Sequence, residues 1–395
     1  SLLSSNRFSL TPFRLKDNLR PDKQYITSWL SAGWTNDVMT YANLIYLAVL
    51  TERIPIIPPF IPSHIGGHVP PIPFGEVFDV PRISKALEMP ILEFRHVKDP
   101  NSTFVDELGC WNTWEAVEVH HQEPRPSPHL DLLKLDISYT TAPTWIKAAP
   151  QFENDVHTSF WGLASLSYPE LRTMALTPPA ESRLNKVMLP PDEHLLCYDY
   201  LYYVCAFTPF DFKYDFSPAW RYVARYMYFT PRLLALADEY VRRAMGVSGG
   251  EATPPFVSVH IRHADFSTYC GELPKDDCFA PISVIARRVR EVQDEMWEKK
   301  GIQINHVMVT SDERNETWWQ EIYAQGWLSP DHSRTKELYG EWYPVLIDAV
   351  IQATGAGFVG TDGSTMSMIA KRRTETWSDG ASRIYKWGYP GADDH

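Results

Sequence analysis

Hydrophobic and polar positions divide the chain into a loosely patterned first half and a regular second half. Val38 to Leu50 is apolar on most faces and predicts a largely buried helix. It is entered through Ser31-Ala-Gly-Trp-Thr-Asn36-Asp37, where Gly33 and Asn36 suit a tight turn and Asn36 or Asp37 can cap the helix. Ile54 to Ile57 predicts a short strand. Seven prolines between Pro55 and Pro73 then forbid regular structure and predict a stiff, ordered loop. Helix, short strand and long loop make a plausible piece of an open α/β sheet. From about Phe74 to Ser217 the pattern is mixed, with short elements and many Pro, Trp and His.

The second half alternates cleanly. Pro231 to Met245 carries Leu233, Leu234, Ala237, Tyr240 and Val241 at helical spacing and stops at Gly246. Phe256 to Ile261 is a strand that delivers Arg262 at its carboxyl end. Ile282 to Lys300 is a helix, and Ile304 to Thr310 a strand ending at Ser311-Asp312. Trp318 to Gln325 and Tyr343 to Ala353 are helices, Phe358-Val359 a brief strand, and Thr365 to Arg373 a last short helix. Strand and helix alternate at the spacing of a doubly wound parallel sheet. With 395 residues, two domains divided near residues 215–230 are expected, a single large fold being the alternative.

Charge narrows the function classes. Lys and Arg number 37 against 49 Asp and Glu, so the net charge is −12, with no block of like charges and no basic stripe. Nucleic-acid and anionic-membrane binding both call for such a stripe. A local basic pocket for one diphosphate is still allowed. The longest apolar stretch, Tyr41 to Leu50, is about half of what crosses a bilayer. The many aromatics (14 Trp, 20 Tyr, 18 Phe) serve core packing or stacking on sugars and bases. The sequence opens at Ser1 without Met, as a processed or trimmed form does.

Cys270 and Cys278 bracket a short loop and can close a small disulfide ring. Cys197 and Cys205 have the same spacing but lie in an apolar, aromatic run where buried free thiols are an equal reading, and Cys110 is left over. Asn101-Ser-Thr103 and Asn315-Glu-Thr317 are glycosylation sequons. Together with the looped cysteines they point to a secretory-pathway lumen.

Ligands of doubly wound sheets sit outside the carboxyl ends of the strands, and three polar stretches fall there. In His260-Ile-Arg262-His-Ala-Asp265-Phe266 the guanidinium suits bidentate contact with phosphate oxygens, or a plain ion pair with Asp265. In Gly357-Phe-Val-Gly360-Thr361-Asp-Gly363-Ser364-Thr365-Met366-Ser367 a strand runs through a glycine turn into hydroxyl residues opening a helix. There, unbonded N–H groups and the helix dipole favour an anion, although Ser and Thr at a helix start also serve as plain caps. Asp348, on the helix before that strand, either faces solvent or offers one carboxylate to the N1–H and exocyclic N–H of guanine. No Asp-x-Asp occurs anywhere. A sugar diphosphate must therefore be met by Arg262, hydroxyls and a helix end rather than by a carboxylate-held divalent ion.

Taken together, Val259 to Phe266 and Phe358 to Ser367 resemble the GDP-fucose-dependent O-fucosyltransferase superfamily, the fungal and plant branches more than the animal one. Gly33-Trp-Thr-Asn36, the apolar helix and Ile57-Pro58-Pro59-Phe60 look like the first motif of that superfamily. The resemblance implies a GT-B architecture: two Rossmann-like domains facing across a cleft, residues 1–220 on the acceptor side and 221–395 on the GDP-sugar donor side. It implies inverting, metal-independent transfer of fucose from GDP-fucose to a hydroxyl, that of a protein Ser or Thr, with no cofactor. By position, Arg262 would neutralise the diphosphate and His260 would lie beside the nucleotide. Asp348 would read guanine, and Ser364, Thr365 and the Met366 backbone would hold the β-phosphate. Asn36 would approach the fucose or diphosphate, while Asp265 and Asp312 would organise the pocket. Some animal members carry an Arg or Glu in the first motif, where the nearest positions here are Ala32 and Gly33, and an aromatic is common where Met366 stands. No catalytic base is therefore identified, and the acceptor proton passes late to the leaving phosphate or a water. Competing readings are a GDP-fucose-binding protein without catalysis, and a GT-B transferase with another donor or a glycan acceptor.

Overall fold

The computed structural model describes residues 14–120 and 123–394. The chain forms two compact units, one ending at Tyr228 and the other beginning at Phe229.

The first unit is built on six parallel strands: β1 (Tyr25–Ser28), β2 (Ile54–Ile57), β3 (Leu92–Glu93), β4 (Asp106–Asn112), β5 (Leu135–Thr141) and β6 (Leu195–Tyr198). Their order across the sheet is β3-β2-β1-β6-β4-β5. Trp29, Ile56, Leu108, Cys110, Leu195 and Cys197 share one core cluster. Gly109 in β4 has no alternative, because a Cβ there would stand 1.9 Å from the Pro190 carbonyl oxygen. Helix α1 (Trp34–Leu50) begins earlier than its apolar run, with Gly33 as N-cap. Asn36 and Asp37 thus fall inside the first turn and cap nothing, contrary to the sequence expectation. The proline-rich loop is ordered: Phe60 and Ile72 exchange backbone hydrogen bonds of 2.8 and 3.1 Å. Tyr41 of α1 also donates to the Pro58 carbonyl at 2.6 Å.

Cys110 is not left over, as its spacing suggested, but bonded to Cys197 across neighbouring strands β4 and β6, and Cys205 is the free, buried thiol. The two partners lie 87 residues apart, so spacing along the chain carried no sign of the bond. Cys270 and Cys278 do close the small ring.

The second unit holds four parallel strands, β7 (Phe256–Ile261), β8 (His306–Ser311), β9 (Gly357–Thr361) and β10 (Ala381–Tyr385), in the order β8-β7-β9-β10. Every residue of β7 and β9 is buried. Helix α2 (Pro231–Met245) starts on Thr230, whose hydroxyl accepts from the Leu233 N–H at 3.3 Å, and stops at Gly246 with φ 67°. Helix α3 (Ile282–Lys300) lays one apolar face on the sheet: its Ile285, Val289, Val292 and Met296 join Val257, Val259 and Val359 in the core. In β9, Gly357 lies so close to Val292 that a Cβ would stand 2.3 Å from its side chain. Four further helices follow: α4 (Glu316–Ala324), α5 (Thr335–Tyr339), α6 (Tyr343–Thr354) and α7 (Thr365–Trp377). Because the strands are parallel and in register, Ile261 beside Ser311 and Thr361 beside Tyr385, the residues that follow them leave the sheet at one edge. That edge carries Arg262, Asp312, Asp362 and Lys386.

Candidate active site

Arg262 follows β7 directly, and its position is fixed through the backbone: its N–H donates to Thr361 Oγ1 at 2.9 Å. Of the two alternatives read from the sequence, the ion pair with Asp265 is present, and the guanidinium is held by carboxylates on two sides. It pairs with Asp265 at 2.7 Å and with Asp312, at the end of β8, at 2.5 Å. Asp312 is half-buried and also accepts from the His263 N–H at 2.8 Å, whereas Asp265 is exposed. The inner carboxylate orients the guanidinium. The outer one is the partner that an incoming anion can replace.

The turn from β9 into α7 stands beside this group. Gly363 adopts φ +78°, which an L side chain rarely takes, and the Phe266 ring lies 4.0 Å from where its Cβ would be. Phe266 stacks on Trp387 with centroids 5.1 Å apart, and the Arg262 guanidinium carbon lies 5.8 Å from the Phe266 ring centre. Trp387 in turn donates its indole N–H to the Asp362 carbonyl at 2.9 Å. Guanidinium and glycine turn thus share one wall of rings. Ser364 is the N-cap of α7 and accepts from the Ser367 N–H at 3.3 Å, so its hydroxyl serves as a cap. Thr365 and Met366, both half-buried, form the first turn, where the helix leaves N–H groups unbonded within itself.

His260 is buried in β7, and its Nδ1 is 2.7 Å from Ser367 Oγ, which also accepts from the Thr361 N–H at 3.0 Å. Burial, assisted by the nearby positive charge of Arg262, pushes the imidazole down to about 3. It is a neutral strut that pins α7 to the sheet, not a proton carrier at neutral pH. The close approach of α7 explains Gly360, where a Cβ would stand 2.7 Å from the Ser367 Cβ. Ser367 was part of the motif read from the sequence, but its bond to His260 had no sequence signal.

Asp348 projects from α6 beside a cavity of about 210 Å³ at the end of β8, lined in part by Ser311, Trp319, Tyr323 and Pro330. His332, also on its wall, approaches Asp348 Oδ1 through Nε2 at 2.8 Å. Ser311 lines this cavity and the next residue, Asp312, pairs with Arg262, so carboxylate pocket and guanidinium are neighbours along the sheet edge. Asn36 belongs to the first unit. It lies half-buried in the first turn of α1, and its side chain makes no hydrogen bond among the described residues. No cluster of three or more His, Cys, Asp or Glu able to hold a metal occurs among the described residues. Among them, too, no helix is long and apolar enough to cross a membrane.

Two Rossmann-like units, each built on a parallel sheet, give the architecture of the GT-B class. The profile of the GDP-fucose protein O-fucosyltransferases matches residues 25–376, and the chain belongs to that family. It is an enzyme, a fucosyltransferase that uses GDP-fucose. The same fold is seen in POFUT1 bound to GDP-fucose, at 16% identity and a TM-score of 0.55, covering 93% of this chain and 99% of that one. POFUT1 bound to GDP gives 17% identity and a TM-score of 0.56, with the same coverage of 93% and 99%. No curated protein matches the chain by sequence.

Proposed function

We propose that this enzyme transfers fucose from GDP-fucose to the hydroxyl of a protein Ser or Thr, inverting the anomeric carbon and using no metal ion, in the lumen of the secretory pathway. The carrying observation is the 2.9 Å bond from the Arg262 N–H to Thr361, which sets a guanidinium beside the turn that opens α7. As the bond from the anomeric carbon to the diphosphate breaks, negative charge gathers on the leaving β-phosphate. Arg262 releases Asp265 and meets that charge, and the first-turn N–H groups, Met366's among them, meet it from the helix side. Asp312 keeps the guanidinium aimed, Ser364 and Thr365 border the phosphate, and Asp348 accepts from the guanine edge. The family resemblance assigns the Asn36 amide to the donor sugar. A divalent ion has no role, since arginine and helix start supply the positive field. No carboxylate or histidine of this donor edge is placed as a base, so the acceptor proton goes late to the departing phosphate or a water. The cysteine ring and the bond between β4 and β6 fit an oxidising lumen.

The test is a thermal shift with GDP, UDP and ADP in EDTA, followed by transfer to peptide acceptors with product stereochemistry read by NMR. Stabilisation by GDP without metal is expected, together with a product whose anomeric configuration is opposite to that of the donor. A product of the donor's own configuration would overturn inversion, and a requirement for added Mg²⁺ or Mn²⁺ would overturn the metal-free reading. A second reading rests on Arg262 being neutralised already by two carboxylates: binding of GDP-fucose with neither transfer nor hydrolysis, whatever the acceptor.

A further inference from the structure

A chain of four polar side chains runs behind the cavity at the end of β8 and ends on Asp348. Tyr240 of α2 and Thr335 of α5 bring their hydroxyl oxygens to 2.6 Å, with Thr335 fully buried. Thr335 Oγ1 lies 3.0 Å from His332 Nδ1, and His332 Nε2 lies 2.8 Å from Asp348 Oδ1. The Tyr240 ring leans over the imidazole at 5.5 Å. Three of these groups do nothing in the transfer as derived above, yet they stand in line.

The proton count gives the line a direction. A carboxylate only accepts, so Nε2 must carry the hydrogen shared with Asp348. A neutral imidazole with its hydrogen on Nε2 leaves Nδ1 as an acceptor, which Thr335 satisfies with its single hydroxyl hydrogen. Thr335 then receives from Tyr240, whose hydroxyl has no other partner among the described residues. With the imidazole in that neutral form, each hydrogen is used once and all point toward Asp348. Its Oδ1 is thereby engaged, its rotamer held, and Oδ2 is left without a protein partner among the described residues beside the cavity.

We propose that His332 is the positioning residue for base recognition: through Nε2–H it holds Asp348 as an oriented double acceptor for the N1–H and 2-amino groups of a purine such as guanine. This rests on the reading that Asp348 meets the base. Oδ2 takes one of the two N–H groups, and the second lone pair of Oδ1 takes the other. A carboxylate left free to rotate keeps its charge but loses the pairing that separates a 2-aminopurine from its analogue without the amino group. His332 touches no ligand itself.

The experiment compares GDP with IDP, which lacks the 2-amino group, by calorimetric titration, and follows KM and kcat for GDP-fucose. D348A, H332L, H332Q and T335V are measured alongside the unmodified enzyme. D348A should erase the preference for GDP over IDP. H332L should raise KM about tenfold with kcat changed less than about twofold, and should shrink the preference similarly. H332Q, whose amide N–H can reach the place of Nε2–H, should restore most of it. T335V should move KM in the same direction by about threefold, which keeps the proposal open to test if H332L does not fold. An unchanged GDP preference in H332L, or in T335V where H332L fails to fold, with D348A having lost it, overturns the role of His332. An unchanged preference in D348A instead overturns the base reading on which that role depends.

Discussion

The two large sheets of this enzyme are both parallel, but they are held together at different ranges. In the second unit the ties are short: a strand, a helix and the next strand follow within a few tens of residues, and glycines at 357 and 360 let α3 and α7 lie close. In the first unit the ties are long. The disulfide between β4 and β6 joins residues 87 apart. Asp199, buried after β6, accepts from the N–H and hydroxyl of Thr113 at 2.7 and 2.6 Å and from the Arg125 N–H at 3.1 Å. Locally built structure places its functional groups by strand register. Remotely tied structure depends on a few bonds that no neighbouring residue announces.

That contrast can be broken at chosen points. The largest effect on activity is expected at the sheet edge of the second unit: R262A should lower transfer by at least about 10²–10³-fold while the melting temperature stays close to that of the parent. Retained transfer would remove the arginine from the mechanism. The largest effect on stability belongs to the first unit. Replacing Cys110 and Cys197 by serine should destabilise by about 4.5 kcal/mol on the chain-entropy estimate, against about 2.5 kcal/mol for the short Cys270–Cys278 ring. Urea unfolding of the two double variants reads the difference, and GDP affinity should survive the first of them.

A smaller effect is expected at Asn36, where N36A should reduce kcat by about tenfold and leave GDP affinity unchanged, as steady-state kinetics and calorimetry would show. Equal losses in both would make it a binding residue. The smallest effect is a pH slope shared by both units. Burial pushes His129 of the first unit down to about 4, and burial followed by the charge of Arg262 pushes His260 of the second to about 3. The unfolded imidazole takes a proton near pH 6.5 that the folded one refuses until far lower pH. The unfolded state therefore binds more protons in that window, and stability present above pH 6.5 is lost progressively as pH falls toward 4 and then 3. Unfolding measured from pH 7 to 5 should show the slope, and H260N should reduce it.

What could be read from the sequence follows the same division. Helices Pro231–Met245 and Ile282–Lys300 and strand Phe256–Ile261 begin and end where the hydrophobic period and the glycine stops place them. Arg262, Asp312 and the Gly363 turn were legible because the ends of parallel strands must share an edge. The start of α1 was misread, because Gly33 caps it through backbone geometry alone and the polar residues after it only look like caps. The Cys110–Cys197 bond and the line from Tyr240 to Asp348 were invisible, since each joins residues whose nearness is a product of the fold. His332 stands 16 residues before Asp348 with a whole short helix between them.

The ring wall beside Arg262 has a bearing on biosynthesis. Phe266 leans on Trp387, and the Gly388 N–H donates to the Cys278 carbonyl at 2.7 Å. A nascent chain that has made Arg262 must therefore wait for more than a hundred further residues to leave the ribosome before the pocket around that side chain can close. Until then the loop between Cys270 and Cys278 has no lid to rest against, and a ribosome stalled short of Trp387 would display an arginine with no finished place to use it.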